Sequence, residues 1–263
     1  MRFRPLKIFG FIIIIASIVS SCSDKTQQFE TELLTDYMPL APGKYITYRV
    51  DSLVFTDFGR TTEIHKSQQK HVIDAQVTDN LGRPSWRVFR YTRDSVNTSS
   101  WTAAQPWIAN GSYLITVLPN EIEVIEDNLR FVKLHAPIKE GYTWKGNSYL
   151  PFNPYDYIST NNSYDDGLAD WDYVYDSFDP SIVYKGKTYT DVWTVEAADE
   201  AYNVPVTLPD SYGSRIRSVN KYSKNIGLVY REHELWEYQP NTGQPGGPFK
   251  TGFGITMWMI DHN

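Results

Sequence analysis

Residues 44–55 read KYITYRVDSLVF, in which Tyr45, Thr47, Arg49 and Asp51 alternate with Ile46, Tyr48, Val50 and Ser52. Successive side chains of an extended chain point to opposite faces, so a period of two predicts a strand with one apolar and one wet face. Pro39, Pro42 and Gly43 mark a turn just before it. Further strand-like runs follow at 71–78, 85–92, 112–118, 121–126 and 129–134, and then at 172–177, 181–184, 188–196, 215–222, 227–238 and 254–260. Between them lie Asp79-Asn80-Leu81-Gly82, Asn110-Gly111, Pro119-Asn120, Asp127-Asn128 and Lys185-Gly186. Short strands separated by turn residues are the pattern of an antiparallel all-β domain, either a sandwich or a strongly curved sheet, with minor helix.

Composition agrees with this. The chain of 263 residues is 41% hydrophobic and carries 19 tyrosines, 12 phenylalanines and 8 tryptophans, with 16 glycines and 15 prolines. Aromatic residues favour strands, and this length supports a sizeable core. Trp101, Trp107, Trp144, Trp193, Trp236 and Trp258 are expected in that core or at its rim.

The first residues carry an address. Arg2, Arg4 and Lys7 precede an apolar run at 8–19 that ends in small residues and Cys22. The run is too short to span a bilayer and has the layout of an export signal. Val19-Ser20-Ser21-Cys22 resembles the lipobox of Gram-negative bacterial lipoproteins. That resemblance implies removal of residues 1–21, acylation of Cys22, and anchoring through palmitate-like chains, two or more of which hold a protein stably on a membrane. Ser23 rather than an aspartate follows the cysteine. By the same resemblance this points to the outer membrane, with the periplasmic and surface faces both open. Residues 22–36 are expected as a lipidated tether, with a short helix at 27–36 as an option, and residues 37–263 as the β-rich domain, with two halves meeting near 136–150 as a second arrangement. The segment Tyr222-Ser223-Lys224-Asn225-Ile226-Gly227-Leu228-Val229-Tyr230 resembles a turn that enters a late strand in exported β-rich lipoproteins.

Cys22 is the only cysteine, so the exported chain forms no internal disulfide. Removal of residues 1–21 takes away three positive charges and no negative ones, lowering the formal charge from −6 to −9. Nucleic acid is therefore not expected as a partner, and contact with the membrane is expected through the lipid.

The unusual stretch is 153–180, where Asp165, Asp166, Asp170, Asp172, Asp176 and Asp179 are interleaved with Tyr155, Tyr157, Tyr164, Trp171, Tyr173 and Tyr175. One reading is a solvated acidic loop held down by its aromatics. A second places a glycan or other ligand on Trp171 and Tyr173, with Asp170 and Asp172 accepting its hydroxyl protons. A third places Ca²⁺ among Asp165, Asp166 and Asp170, although the EF-hand spacing around Gly167 fails. Asp170 and Asp172 also share a face if extended, the minimum for a two-carboxylate hydrolase. His65, His71, His135, His233 and His262 have no zinc-ligand spacing and are expected as surface or strand residues. Glu121, Glu123 and Glu126 are expected on the outer face of an edge strand. Asp51-Ser52-Leu53 and Asp94-Ser95-Val96 resemble an acceptor pattern for protein O-glycosylation. The function expected is non-catalytic: an envelope lipoprotein that binds a glycan, a lipid or a protein. A lipid or lipoprotein carrier with an apolar cavity is the alternative, and a glycan-acting hydrolase stands third.

Overall fold

The computed structural model describes residues 32–94, 106–151, 154, 167–241, 243 and 246–263. The signal at 1–21 with Cys22, and the loop residues Asp165 and Asp166, lie outside the described residues. Thr31–Asn263 form one compact unit.

The strands are β1 (Tyr45–Thr56), β2 (Thr61–Thr78), β3 (Pro84–Asp94), β4 (Ile108–Val117), β5 (Glu121–Glu126) and β6 (Leu129–His135). They continue as β7 (Thr143–Trp144), β8 (Tyr173–Tyr184), β9 (Lys187–Tyr202), β10 (Gly213–Ser223), β11 (Gly227–Gln239) and β12 (Phe249–His262). All twelve form one antiparallel sheet in which each strand neighbours the next in sequence and β12 returns to pair with β1. Only the consecutive pair β6 and β7 is missing from the ladder, so the sheet curls into a nearly closed barrel whose seam lies there.

The seam is held by a backbone bond and by side chains. Val132 N–H donates to the Gly146 carbonyl at 2.8 Å, and Trp144 Nε1 donates to the Val132 carbonyl at 2.9 Å. The Tyr175 hydroxyl donates to the His135 carbonyl at 2.9 Å and accepts from His135 N–H at 3.2 Å. Gly146 is needed for this approach, because a Cβ there would fall 2.6 Å from the Tyr173 ring.

Several local expectations change. The 3-10 turn Leu34–Asp36 does not behave as tether: Leu34 is buried with Tyr37, the first residue expected in the domain, in the core at the end of the barrel where β1 begins. Glu32 fixes this segment by accepting from the Tyr37 hydroxyl at 2.5 Å, Trp193 Nε1 at 3.1 Å and Lys224 Nζ at 3.2 Å. The outward face of β1 is not wet. Thr47 and Arg49 are buried there, where Tyr184 of the β8–β9 hairpin lies against Tyr230 and against Trp258, the cross-strand partner of Arg49. Asn110-Gly111 makes a bulge inside β4 rather than a turn, with Gly111 at φ +90°. Asn225 and Gly227 do take positive φ at the turn into β11.

Strand β5 is not an edge, because it pairs with both β4 and β6. Glu123 on it is only 1% exposed and is gripped by Arg83, at 2.5 Å, and by Arg130. Asp79 delivers Arg83 to this site by accepting from the backbone N–H of Leu81 and Arg83, both at 2.9 Å, and from Arg83 Nε. Like charge on the sequence thus conceals three different environments: Glu121 is half-buried, Glu123 is buried in an ion network, and Glu126 faces the interior.

Candidate ligand cavity

An eight-stranded barrel is about the size that side chains can fill, and the bore widens with strand number. Twelve strands therefore leave interior space unless something plugs it. Among the described residues the plug is partial. Leu34, Tyr37, Met38 and Leu40 join Ile122, Leu134, Trp144, Tyr175 and Val195 in the packed end. Above them, a small apolar pocket of about 80 Å³ is lined by Met38, Ile73, Val88, Ile115 and Leu228 among others. A larger cavity of about 400 Å³ follows, with Leu129, Phe131, Leu168, Trp171 and Phe253 on its far side.

The two spaces share His71, Glu126, Lys133 and Arg231 in their walls. Strand alternation explains the set. On β11, Val229, Arg231, His233 and Leu235 point one way, and in register across β12 and β10 stand Met257 and Ile255, Asn220 and Ser218, which also line the cavity. On β2, Gln69 and His71 face it, with Arg90 opposite His71 on β3.

The polar groups are tied into the wall one by one. Arg90 donates to Glu126 and sits 3.7 Å from the exposed Asp127. Arg231 donates through Nε to Asn220 Oδ1 at 2.9 Å. Lys133 Nζ lies 3.9 Å from the Phe131 ring centre and 3.4 Å from the Tyr173 hydroxyl. His71 bonds the Tyr113 hydroxyl at 3.1 Å and Gln69 Oε1 at 3.3 Å, with Tyr48 and Tyr113 edge-on to its ring. Among the described residues neither Lys133 nor Arg231 has a carboxylate within 4 Å.

Burial with few counter-charges shifts the titrations. Lys133 is pulled down to about 7, first by burial and then by the Arg231 charge. His71 and His233 are both depressed to about 3 by burial, with nearby cations adding to it. Burial also pushes the Tyr113 hydroxyl up, and that of Tyr222 up to about 12, so both remain neutral donors. All four of these basic residues keep some accessible surface, yet they sit deep in the protein, because what they are exposed to is the cavity.

The residues expected as a ligand platform are split where the 3-10 turn Leu168–Asp170 runs through extended Trp171 into β8. Trp171 and Tyr173 turn inward and line the cavity, Tyr173 donating to Asn147 Oδ1 at 2.9 Å. Asp170 and Asp172 are exposed on the outside, where Lys145 pairs with Asp172 at 3.1 Å and donates to the Asp170 carbonyl at 2.6 Å. The rings and carboxylates thus face different surroundings, and among the described residues no cluster suited to a metal ion occurs. Ser52, read as a glycan acceptor, lines the cavity instead. Lys133, Arg231, His71 and His233 were not singled out from sequence as a group, and the alternation along β11 placing Arg231 and His233 with Val229 and Leu235 is the signal that carried half of it. The chain matches no protein-family model and no curated protein.

Proposed function

We propose that this chain is a lipid-anchored protein of the cell envelope that carries a small, largely apolar ligand inside its barrel without transforming it. The observation that carries the reading is the cavity of about 400 Å³ walled by Leu129, Phe131, Leu168, Trp171 and Phe253. Pockets of this scale, mostly apolar with a few fixed polar groups, suit small molecules. A glycan platform is favoured less, because Asp170 and Asp172 do not converge with Trp171 and Tyr173. The lipobox-like Val19-Ser20-Ser21-Cys22 supports the anchor.

Two variants test this together. Cys22→Ser should move the protein out of the membrane fraction, and the released protein should take up a fluorescent fatty acid. Adding Ser218→Phe, which places a ring in the cavity from β10, should block that uptake while the far-ultraviolet circular dichroism stays that of a β protein. Undiminished uptake in the folded Ser218→Phe protein would put the ligand elsewhere, and a Cys22→Ser protein that stays on the membrane would remove the anchor.

A further inference from the structure

The interior of this acidic protein carries the opposite charge. Facing the larger space are Arg90 from β3, Glu126 from β5 with Asp127 just after it, Lys133 from β6, Arg231 with His233 from β11, and His71 from β2, and of these His71, Glu126, Lys133 and Arg231 also face the smaller one, in a layer shared by both. The Tyr173 hydroxyl approaches Lys133 from β8. Glu126 and Asp127 are both engaged by Arg90, so the two remaining basic side chains, Lys133 and Arg231, have no carboxylate within 4 Å among the described residues. Removing a charge from water without a partner is costly, and a buried guanidinium or ammonium is normally matched by an anion. Arg231 uses Nε to hold Asn220 and is thereby oriented, and its two terminal nitrogens meet no protein acceptor among the described residues. That leaves the flat fork that binds two oxygens of one anion at once.

We infer that this layer is an anion seat, in which Lys133 and Arg231 together hold the carboxylate or phosphate head of an amphiphilic ligand. Its apolar body lies against Phe131, Leu129, Leu168, Trp171 and Phe253 in the larger space, and the small apolar pocket beside Met38 and Ile115 takes any short branch. The inference rests on the cavity reading above and adds the chemical class of the ligand. A titrating Lys133 gives it a second signature: an anion placed beside an ammonium favours the charged form, so binding at pH 8 draws a proton from solution. His71 and His233 stay neutral at that pH, and Arg90 stays paired.

The experiment titrates the Cys22→Ser protein with dodecanoate, dodecyl phosphate and dodecanol by calorimetry at pH 8, in two buffers of different ionisation enthalpy. One of the two anions should bind at least about tenfold more tightly than the alcohol, as charge-assisted bonds to Arg and Lys require. Its binding should take up part of a proton. Arg231→Gln should close the gap between anion and alcohol, and Lys133→Met should both narrow it and abolish the proton uptake. Equal affinity for alcohol and anions in the parent protein would overturn the anion seat while leaving the cavity reading intact. Equal loss of all three ligands in the variants would overturn it too, by making these residues structural. Binding of none of the three would bring down both readings.

Discussion

The packed end of the barrel and its hollow layer are built by the same strands and solve opposite problems. On β11, Val229 and Leu235 are fully buried, and between them stand Arg231 and His233, half-buried against the cavity. On β6, Leu134 is 1% exposed and the adjacent Lys133 opens on the cavity. Toward the start of β1 the interior is filled by Tyr37, Trp144 and Tyr175, whose polar atoms all find partners: Tyr37 at Glu32, Trp144 at the Val132 carbonyl, Tyr175 at His135. In the hollow layer the polar groups include Lys133 and Arg231, which have no carboxylate within 4 Å among the described residues. One region lowers the free energy of the fold; the other raises it and keeps a site. Conflicts of this kind collect where a protein works.

Substitutions should therefore move stability in opposite directions in the two regions. Trp144→Ala removes a buried ring and the Nε1 bond that ties the β6–β7 seam, and it should cost about 3–5 kcal/mol in urea denaturation, the range for a large core residue. A cost under about 1 kcal/mol would mean that the seam is not part of the cooperative unit. Lys133→Met, in contrast, should stabilise the ligand-free protein at pH 7 by about 1–3 kcal/mol. Its depressed titration, down to about 7, records that folding opposes its charge, and cavity water relieves part of that cost. Loss of stability in this variant would turn Lys133 into a structural residue and erase the contrast.

The fold was legible because its pattern is local. Alternation at 44–55 and turn residues such as Asp127-Asn128 and Lys185-Gly186 are set by a few neighbouring residues, and the all-β antiparallel class follows from them, while the choice of one curved sheet over a sandwich came from the pairing of β12 with β1. Strand lengths were less legible. Strand β2 starts at Thr61, ten residues before the run at 71–78, because 61–70 is polar apart from Ile64 and its first six residues pair with β1 while remaining exposed. The site was hardly legible at all. Net charge is a sum and does not reveal that Lys133, Arg231 and Arg90 line the cavity with Glu126 while Asp170 and Asp172 are exposed. Nor could sequence reveal that Glu121, Glu123 and Glu126 divide among three environments, because Glu123 depends on an Arg83 forty positions away. The aromatic and acidic stretch grouped Trp171 and Tyr173, which line the cavity, with Asp170 and Asp172, which are exposed to solvent.

The smallest expected effect concerns the two histidines, and its sign follows from where they stand. Both have folded values near 3, well below the ordinary imidazole value of 6.5. Above about pH 6.5 neither state binds a proton there, and the neutral rings fit the cavity wall. Between 6.5 and 3 the unfolded chain takes up protons that the folded protein refuses, so stability falls as the pH falls. From pH 7 to 5.5 this amounts to about 1 kcal/mol for each histidine, reduced by cavity water. Urea midpoints of the parent protein and of a His71→Gln, His233→Gln protein at the two pH values measure it: the drop should be visible in the first and largely absent in the second. Asp79, held by Arg83 and two backbone N–H groups, titrates near 2 and lies outside this window, whereas Lys133, at about 7, and Glu121 and Glu196, raised by burial, contribute alike to both proteins and cancel in the comparison. An equal drop in both proteins would place the acid sensitivity outside the hollow layer. A drop confined to the parent would mean that this layer, rather than the packed end, sets the acid limit of the fold, as expected if its polar groups are kept for a ligand rather than for stability.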